Sequence, residues 1–138
     1  MMEALVHAGG KGTRMGSSGV EKPMQVIGDV PVVRRVVDAL RSSSKISRVL
    51  VSVSDNTKET ERYLKREGIE TIHTSGKDFM NDLHTSLYSM NGKFVMTAPC
   101  DMPLLKRQAV DMFYEFFDPD TMESAIAVVD EGIERSLG

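Results

Sequence analysis

At 138 residues, with 41% hydrophobic and 27% charged side chains, the chain is one domain's worth of ordinary globular sequence. That length buries a core without metal or disulfide staples. The formal net charge of −3 argues against a general nucleic-acid binder, which would be basic, yet leaves room for a small anion in a locally basic loop.

The elements follow in chain order. Glu3 to His7 is a short apolar run ending at a glycine loop, and it is expected to be a buried strand. Pro31 to Ser43 places Val33, Val36, Val37 and Leu40 at helical spacing, with Pro31 in the first turn, where a missing N–H costs nothing. Arg48 to Ser54 is β-branched and short, the clearest strand. Asp55, Asn56 and Thr57 then offer N-cap side chains to a polar helix from Lys58 to Glu67, closed by Gly68. Glu70 to Thr74 is a weaker third strand. A helix is expected from Phe79 to Met90, a turn at Asn91-Gly92 and a fourth strand from Lys93 to Ala98. Leu104 to Phe117 is amphipathic, and Ser124 to Val129 is a last apolar strand.

Strands alternating with helices imply crossover connections. The expected fold is α/β, a three-layer α/β/α sandwich with a mostly parallel, Rossmann-like sheet, and residues 1–138 form a single domain. Ligands in such sheets sit beyond the carboxyl ends of the strands. Three stretches fall on that edge: the glycine loop, Thr74-Ser75-Gly76-Lys77, and Ala98-Pro99-Cys100-Asp101-Met102-Pro103.

The loop reads Ala8-Gly9-Gly10-Lys11-Gly12-Thr13-Arg14-Met15-Gly16. Glycine lets backbone N–H groups approach an anion and form a nest for phosphate. A Walker A loop needs Gly-Lys-Ser/Thr, but Lys11 is followed by Gly12. The dinucleotide fingerprint needs G-x-G-x-x-G, whereas Gly10, Gly12 and Gly16 are spaced one residue too long. No ribose-binding carboxylate closes the second strand, which ends in Ser52-Val53-Ser54 with Asp55 outside it. Both familiar loops are excluded.

This loop, followed by Glu21-Lys22-Pro23, resembles the signature of the nucleotidyltransferases related to molybdenum-cofactor and sugar-nucleotide guanylyltransferases. Together with the stretches 55–64, 73–83 and 100–103, it is similar to the archaeal GTP:adenosylcobinamide-phosphate guanylyltransferases over most of the chain, from Met2 to Val129. The resemblance implies transfer of GMP from GTP to adenosylcobinamide phosphate in cobalamin biosynthesis, with pyrophosphate leaving. A molybdopterin or sugar-phosphate acceptor, or a catalytically silent nucleotide-binding domain, is the alternative. It also implies that the loop, Ala8 to Thr13, wraps the triphosphate, that Arg14 holds the β and γ phosphates and that Lys22 reaches the α phosphate. It assigns Asp101 to Mg²⁺, and Thr74, Ser75, Gly76 and Asp82 to the guanine. Related enzymes continue past Gly138, so the part that completes the acceptor pocket is expected to be missing.

The chemistry suits these residue types. Arginine grips phosphate in a bidentate fork, and lysine is a compact charge for the α phosphate. Mg²⁺ takes one or two carboxylates plus phosphate oxygens, so Asp101, just past a strand, is the metal candidate. Guanine's N1–H and amine call for acceptors such as a carboxylate. Plainer roles stay open: Lys22 as half of a solvated pair with Glu21, Asp101 as the cap of the following helix, and Thr74 to Gly76 as a simple turn. His7, His73 and His84 lack ligand spacing and read as structural or exposed. Cys100, the lone cysteine, excludes an intrachain disulfide, suits a reducing compartment and reads as a small buried side chain. The cluster Phe113, Tyr114, Phe116 and Phe117 reads as part core and part homodimer or interdomain contact. No apolar run is long enough to span a membrane and no secretory leader opens the chain, so no membrane partner and a cytoplasmic location are expected.

Overall fold

A computed structural model describes residues 1–11 and 19–125. Strand β1 (Met2–His7) runs through the middle, with Ala4, Leu5 and Val6 all buried. A strand covered on both faces has no polar side to show, so its sequence is a continuous apolar run. It pairs in parallel with β4 (Ile46–Val53) on one side and β6 (Val95–Pro99) on the other. Beyond β4 lies β5 (Thr71–His73), also parallel, giving the order β5-β4-β1-β6.

Side chains alternate between the two faces. Ala4, Val6, Val49, Val51, Val53, Met96 and Ala98 pack on one side against three helices. These are α1 (Val32–Arg41), α2 (Lys58–Arg66) and α4 (Arg107–Phe116), which contribute Val33, Val36, Val37 and Leu40, then Leu64, then Val110. Leu5 and Leu50 point the other way and meet Leu83 of α3 (Phe79–Tyr88) and Met90. Two helix layers thus flank the sheet, as expected. The chain moves outward from β1 to β5, then returns past β1 to β6. Right-handed crossovers put α3 on the opposite face from α1 and α2 for that reason. The strand order reverses between β1 and β6, and ligands of open α/β sheets sit beyond the carboxyl ends of the strands at such a switch point.

Several boundaries differ from expectation. Pro31 is not inside a helix. It belongs to a small antiparallel hairpin, β2 (Val26–Ile27) with β3 (Val30–Pro31), and stands at the N-cap of α1. The hairpin turns on Gly28 and Asp29, both at positive φ, a two-residue turn of the kind that favours Gly and Asp. Asp55 to Thr57 forms a separate 3-10 turn before α2, capped by Ser54. The helix expected from Leu104 begins at Arg107, and the one expected to reach Met90 ends at Tyr88. Of the aromatic cluster, Phe113 and Tyr114 pack on the core and Phe117 meets Phe94 at 4.9 Å, which leaves Phe116 exposed. The strand expected from Ser124 to Val129 lies mostly outside the described residues; Ser124 and Ala125, which are described, carry no regular structure.

At the amino end of the sheet, Glu3 is buried and accepts the N–H groups of Asn91 and Gly92 and the Arg48 guanidinium at 3.0 Å. Arg48 also grips Glu70 on the neighbouring strand edge. Burial pushes the Glu3 carboxyl up, but the hydrogen bonds and the Arg48 charge outweigh it and hold it below the usual carboxylate range. Hydrogen bonding to Arg48 likewise lowers Glu70.

Candidate active site

The glycine loop leaves β1 directly over the end of β4. Ala8 N–H donates to the Ser52 carbonyl at 2.8 Å, extending the ladder by one residue. At Gly9 an added Cβ would lie 3.1–3.3 Å from Val53 and Ser54, a tight fit that would make the loop or the end of β4 give by a few tenths of an ångström. Ser54 Oγ donates to the Gly9 carbonyl at 2.6 Å. The Asn56 side-chain amide donates to the same carbonyl at 3.2 Å and to the Gly76 carbonyl at 2.9 Å. One amide therefore joins the loop after β1 to the loop after β5. Sequence reading placed Asn56 only as a helix cap, because nothing local shows which distant carbonyls it meets.

Gly76 sits at φ +69°, and a Cβ there would collide with Ser54 Oγ and Asn56 Nδ2. Asp82, in the first turn of α3, accepts the Ser75 hydroxyl at 2.7 Å and the Gly76 N–H at 2.9 Å. Thr74 is buried, and its hydroxyl donates to the Val53 carbonyl at 3.1 Å. It anchors the loop and does not line the pocket described below.

Glu21 and Lys22 are not a solvated pair. Glu21 is 1% exposed, and its carboxylate accepts the backbone N–H groups of Glu59 at 3.1 Å and Thr60 at 2.9 Å and the Thr60 hydroxyl at 2.6 Å. Helix α2 has no side-chain cap of its own. Glu21 therefore satisfies orphan N–H groups at its amino end, where the helix dipole also favours a negative charge. Lys22 opens a 3-10 turn, Lys22–Met24, with Pro23 buried beneath it. Its ammonium is exposed and makes no ion pair among the described residues.

Asp101 is exposed just past β6 and caps no helix, since the N-cap of α4 is Lys106. Its carboxylate has no hydrogen bond or ion pair among the described residues. Burial, assisted by the Asp101 charge, pushes the adjacent Cys100 thiol up to about 11, and the Lys22 charge opposes that rise. The thiol is too basic to serve as a thiolate nucleophile near neutral pH. A free carboxylate oxygen beside an open edge fits Mg²⁺, which asks the protein for one or two carboxylates. No group of three or more metal-binding side chains forms among the described residues.

A pocket of about 200 Å³ opens at this edge on the α3 side. Of the residues singled out in the sequence, Gly9, Gly10, Lys11, Gly76, Lys77 and Asp82 line it. His7, Ser52 and Phe79 line it too, though no motif marked them. Strand alternation carried the signal: His7 and Ser52 follow Leu5 and Leu50 on the same face, at the ends pointing to the loops. Of the other two histidines, His73 lies 3.1 Å from both Asp55 and Glu61, and His84 is exposed and meets Tyr88 edge to face. Gly12, Thr13 and Arg14 lie outside the described residues.

A family model for the MobA-like NTP transferase domain matches residues 4–136. The chain belongs to that family. An adenosylcobinamide-phosphate guanylyltransferase of Methanocaldococcus jannaschii is 33% identical over 121 residues, covering 84% of this chain and 60% of the relative. A molybdenum cofactor guanylyltransferase of Cupriavidus metallidurans is 29% identical over 127 residues, 90% of this chain and 59% of that protein. The chain thus spans about 60% of the length of these two family relatives. Among solved structures, a nucleotidyl transferase from Methanothermobacter superposes with a TM-score of 0.74 at 22% identity, over 86% of this chain and 58% of that one. That likeness shows the same fold.

Proposed function

We propose that the chain transfers GMP from GTP to a phosphorylated small molecule, adenosylcobinamide phosphate, with release of pyrophosphate. What supports this reading is the family match over residues 4–136, with the glycine loop after β1 and Asp101 after β6 on neighbouring parallel strands, and an exposed Lys22 that makes no ion pair among the described residues. The acceptor and the base rest on the guanylyltransferase from M. jannaschii.

An acceptor phosphate oxygen attacks the α phosphorus, the bond from that phosphorus to the bridging oxygen breaks, and pyrophosphate departs with the electron pair. Little covalent chemistry falls to the protein, which positions the groups in line and neutralises charge. Backbone N–H groups from Gly9 to Lys11 face the phosphates. Lys22 places a point charge at the α phosphate, and Arg14 grips the departing pyrophosphate. Asp101 would hold Mg²⁺, whose chemistry there is neutralisation of phosphate charge. The reading carries a cytoplasmic setting.

The test is pyrophosphate release from GTP, CTP, UTP and ATP, each with and without adenosylcobinamide phosphate. Release from GTP only in its presence is the expected result. Release with a molybdopterin acceptor instead would move the substrate toward that of the relative from C. metallidurans. GTP binding with no turnover for any acceptor would leave a nucleotide-binding domain.

A further inference from the structure

We propose that His7 and Ser52 are nucleobase-reading residues of this site, forming side by side the polar floor of the pocket beneath Phe79. The inference deepens the guanylyl-transfer reading and rests on it for the identity of the base.

The two residues are register partners on adjacent parallel strands, β1 and β4. Both close the α3 face of the sheet, where Leu5 and Leu50 give way to polar side chains as the strands reach the pocket. Ser52 is 4% exposed, yet its hydroxyl has no hydrogen-bond partner among the described residues. A buried hydroxyl left unpaired destabilises a fold, and proteins retain such groups mainly where a ligand completes them. Neither ring nitrogen of His7 has a hydrogen-bond partner among the described residues. Burial holds the imidazole below its usual pKa, so near neutral pH it offers one donor and one acceptor and no charge.

An uncharged floor with rotatable donors and acceptors suits a base edge better than a phosphate. The cationic residues of the pocket, Lys11 and Lys77, belong to the loops at its rim, after β1 and β5, and not to the strand ends that form the floor. Phe79 stands 5.0 Å from His7, tilted by 60°, and remains 60% exposed, which leaves ring surface for a base to pack on. Asp82, acceptor only, lines the same pocket. Guanine presents a carbonyl oxygen beside an N–H and an amine, so it can accept from Ser52 or His7 while donating toward Asp82. Adenine reverses that order: with its amine toward Ser52 and His7, its bare ring nitrogen would meet the Asp82 carboxylate, acceptor against acceptor.

The experiment measures dissociation constants for GTP, ATP, 2′,3′-dideoxy-GTP and inorganic tripolyphosphate with the full chain, alongside thermal unfolding. Ser52→Ala and His7→Leu should each weaken GTP about threefold to tenfold, the worth of one hydrogen bond, and lower the GTP/ATP preference. Tripolyphosphate affinity should be unchanged. Ser52→Ala should leave the unfolding temperature equal or higher, which a merely structural serine would not. His7→Gln keeps a donor and an acceptor, so it should retain more of the preference than His7→Leu. An unchanged GTP/ATP ratio in both Ser52→Ala and His7→Leu overturns the proposal. So does a loss that disappears with the dideoxy nucleotide, which would assign the pair to the ribose hydroxyls. Wild-type protein binding GTP no more tightly than tripolyphosphate also overturns it. Selective GTP binding without any transfer would instead sink the transferase reading and leave this one standing.

Discussion

Glu21 holds Thr60 twice, taking its backbone N–H at 2.9 Å and its hydroxyl at 2.6 Å. This contact ties the segment that carries Lys22 to the amino end of α2, nearly forty residues later. Glu21→Ala would strand two N–H groups in a buried place. That should destabilise the fold by about 1–3 kcal/mol and lower transfer through misplacement of Lys22. Thermal unfolding and steady-state kinetics read the two effects separately. A variant that loses stability but keeps full kcat would show that Lys22 is placed by other contacts.

Asn56 and Gly76 make the second brace. Asn56→Asp replaces a donor aimed at the carbonyls of Gly9 and Gly76 with a negative acceptor, so the two loops should separate and nucleotide affinity fall. Gly76→Ala sets a Cβ against Ser54 and Asn56 at a backbone angle that side chains rarely adopt, at about 1–3 kcal/mol. Calorimetric GTP titration of both variants gives the readout. Wild-type affinity in both would mean the loops need no brace.

Asp101→Asn keeps the shape and removes the charge. By analogy with the loss of one preorganised electrostatic partner, turnover should drop about 10²–10³-fold. GTP affinity measured without divalent metal should change little. Undiminished turnover at saturating Mg²⁺ would remove Asp101 from the metal.

Acid should loosen the opposite end of the sheet. Glu3 and Glu70 have pKa values held below the usual 4.5 in the folded protein. Their stabilisation is therefore fully present above that value and is lost as pH falls through the depressed folded values. Denaturant midpoints should fall as pH is lowered below about 4.5, and Arg48→Met should flatten that dependence. An identical acid slope in the variant would show that other carboxylates dominate.

Much of this was legible in the residues themselves. The apolar runs at Glu3 to His7 and Arg48 to Ser54, and the helical spacing of Val33, Val36, Val37 and Leu40, mark elements whose burial pattern is local. The glycine loop after β1 and the loops after β5 and β6 were legible too, as stretches that leave the carboxyl ends of parallel strands. Local pattern suffices there because backbone geometry and strand order alone bring those loops to one edge.

The rest needed contacts between residues far apart in the chain. Whether Glu21 faced Lys22 or α2 depended on where an uncapped helix began. Whether Asn56 capped a helix or braced two loops depended on carbonyls 47 and 20 positions away. That Ser52 and His7 share a floor follows from the register of two strands, in which each side chain's face is set by pairing rather than by its neighbours in sequence. Hydrophobic period and glycine placement were enough to give the layers and the kind of loop. Which polar groups the protein already satisfies, and which it leaves open, emerged from the fold, because hydrogen-bond satisfaction is a property of the folded surroundings.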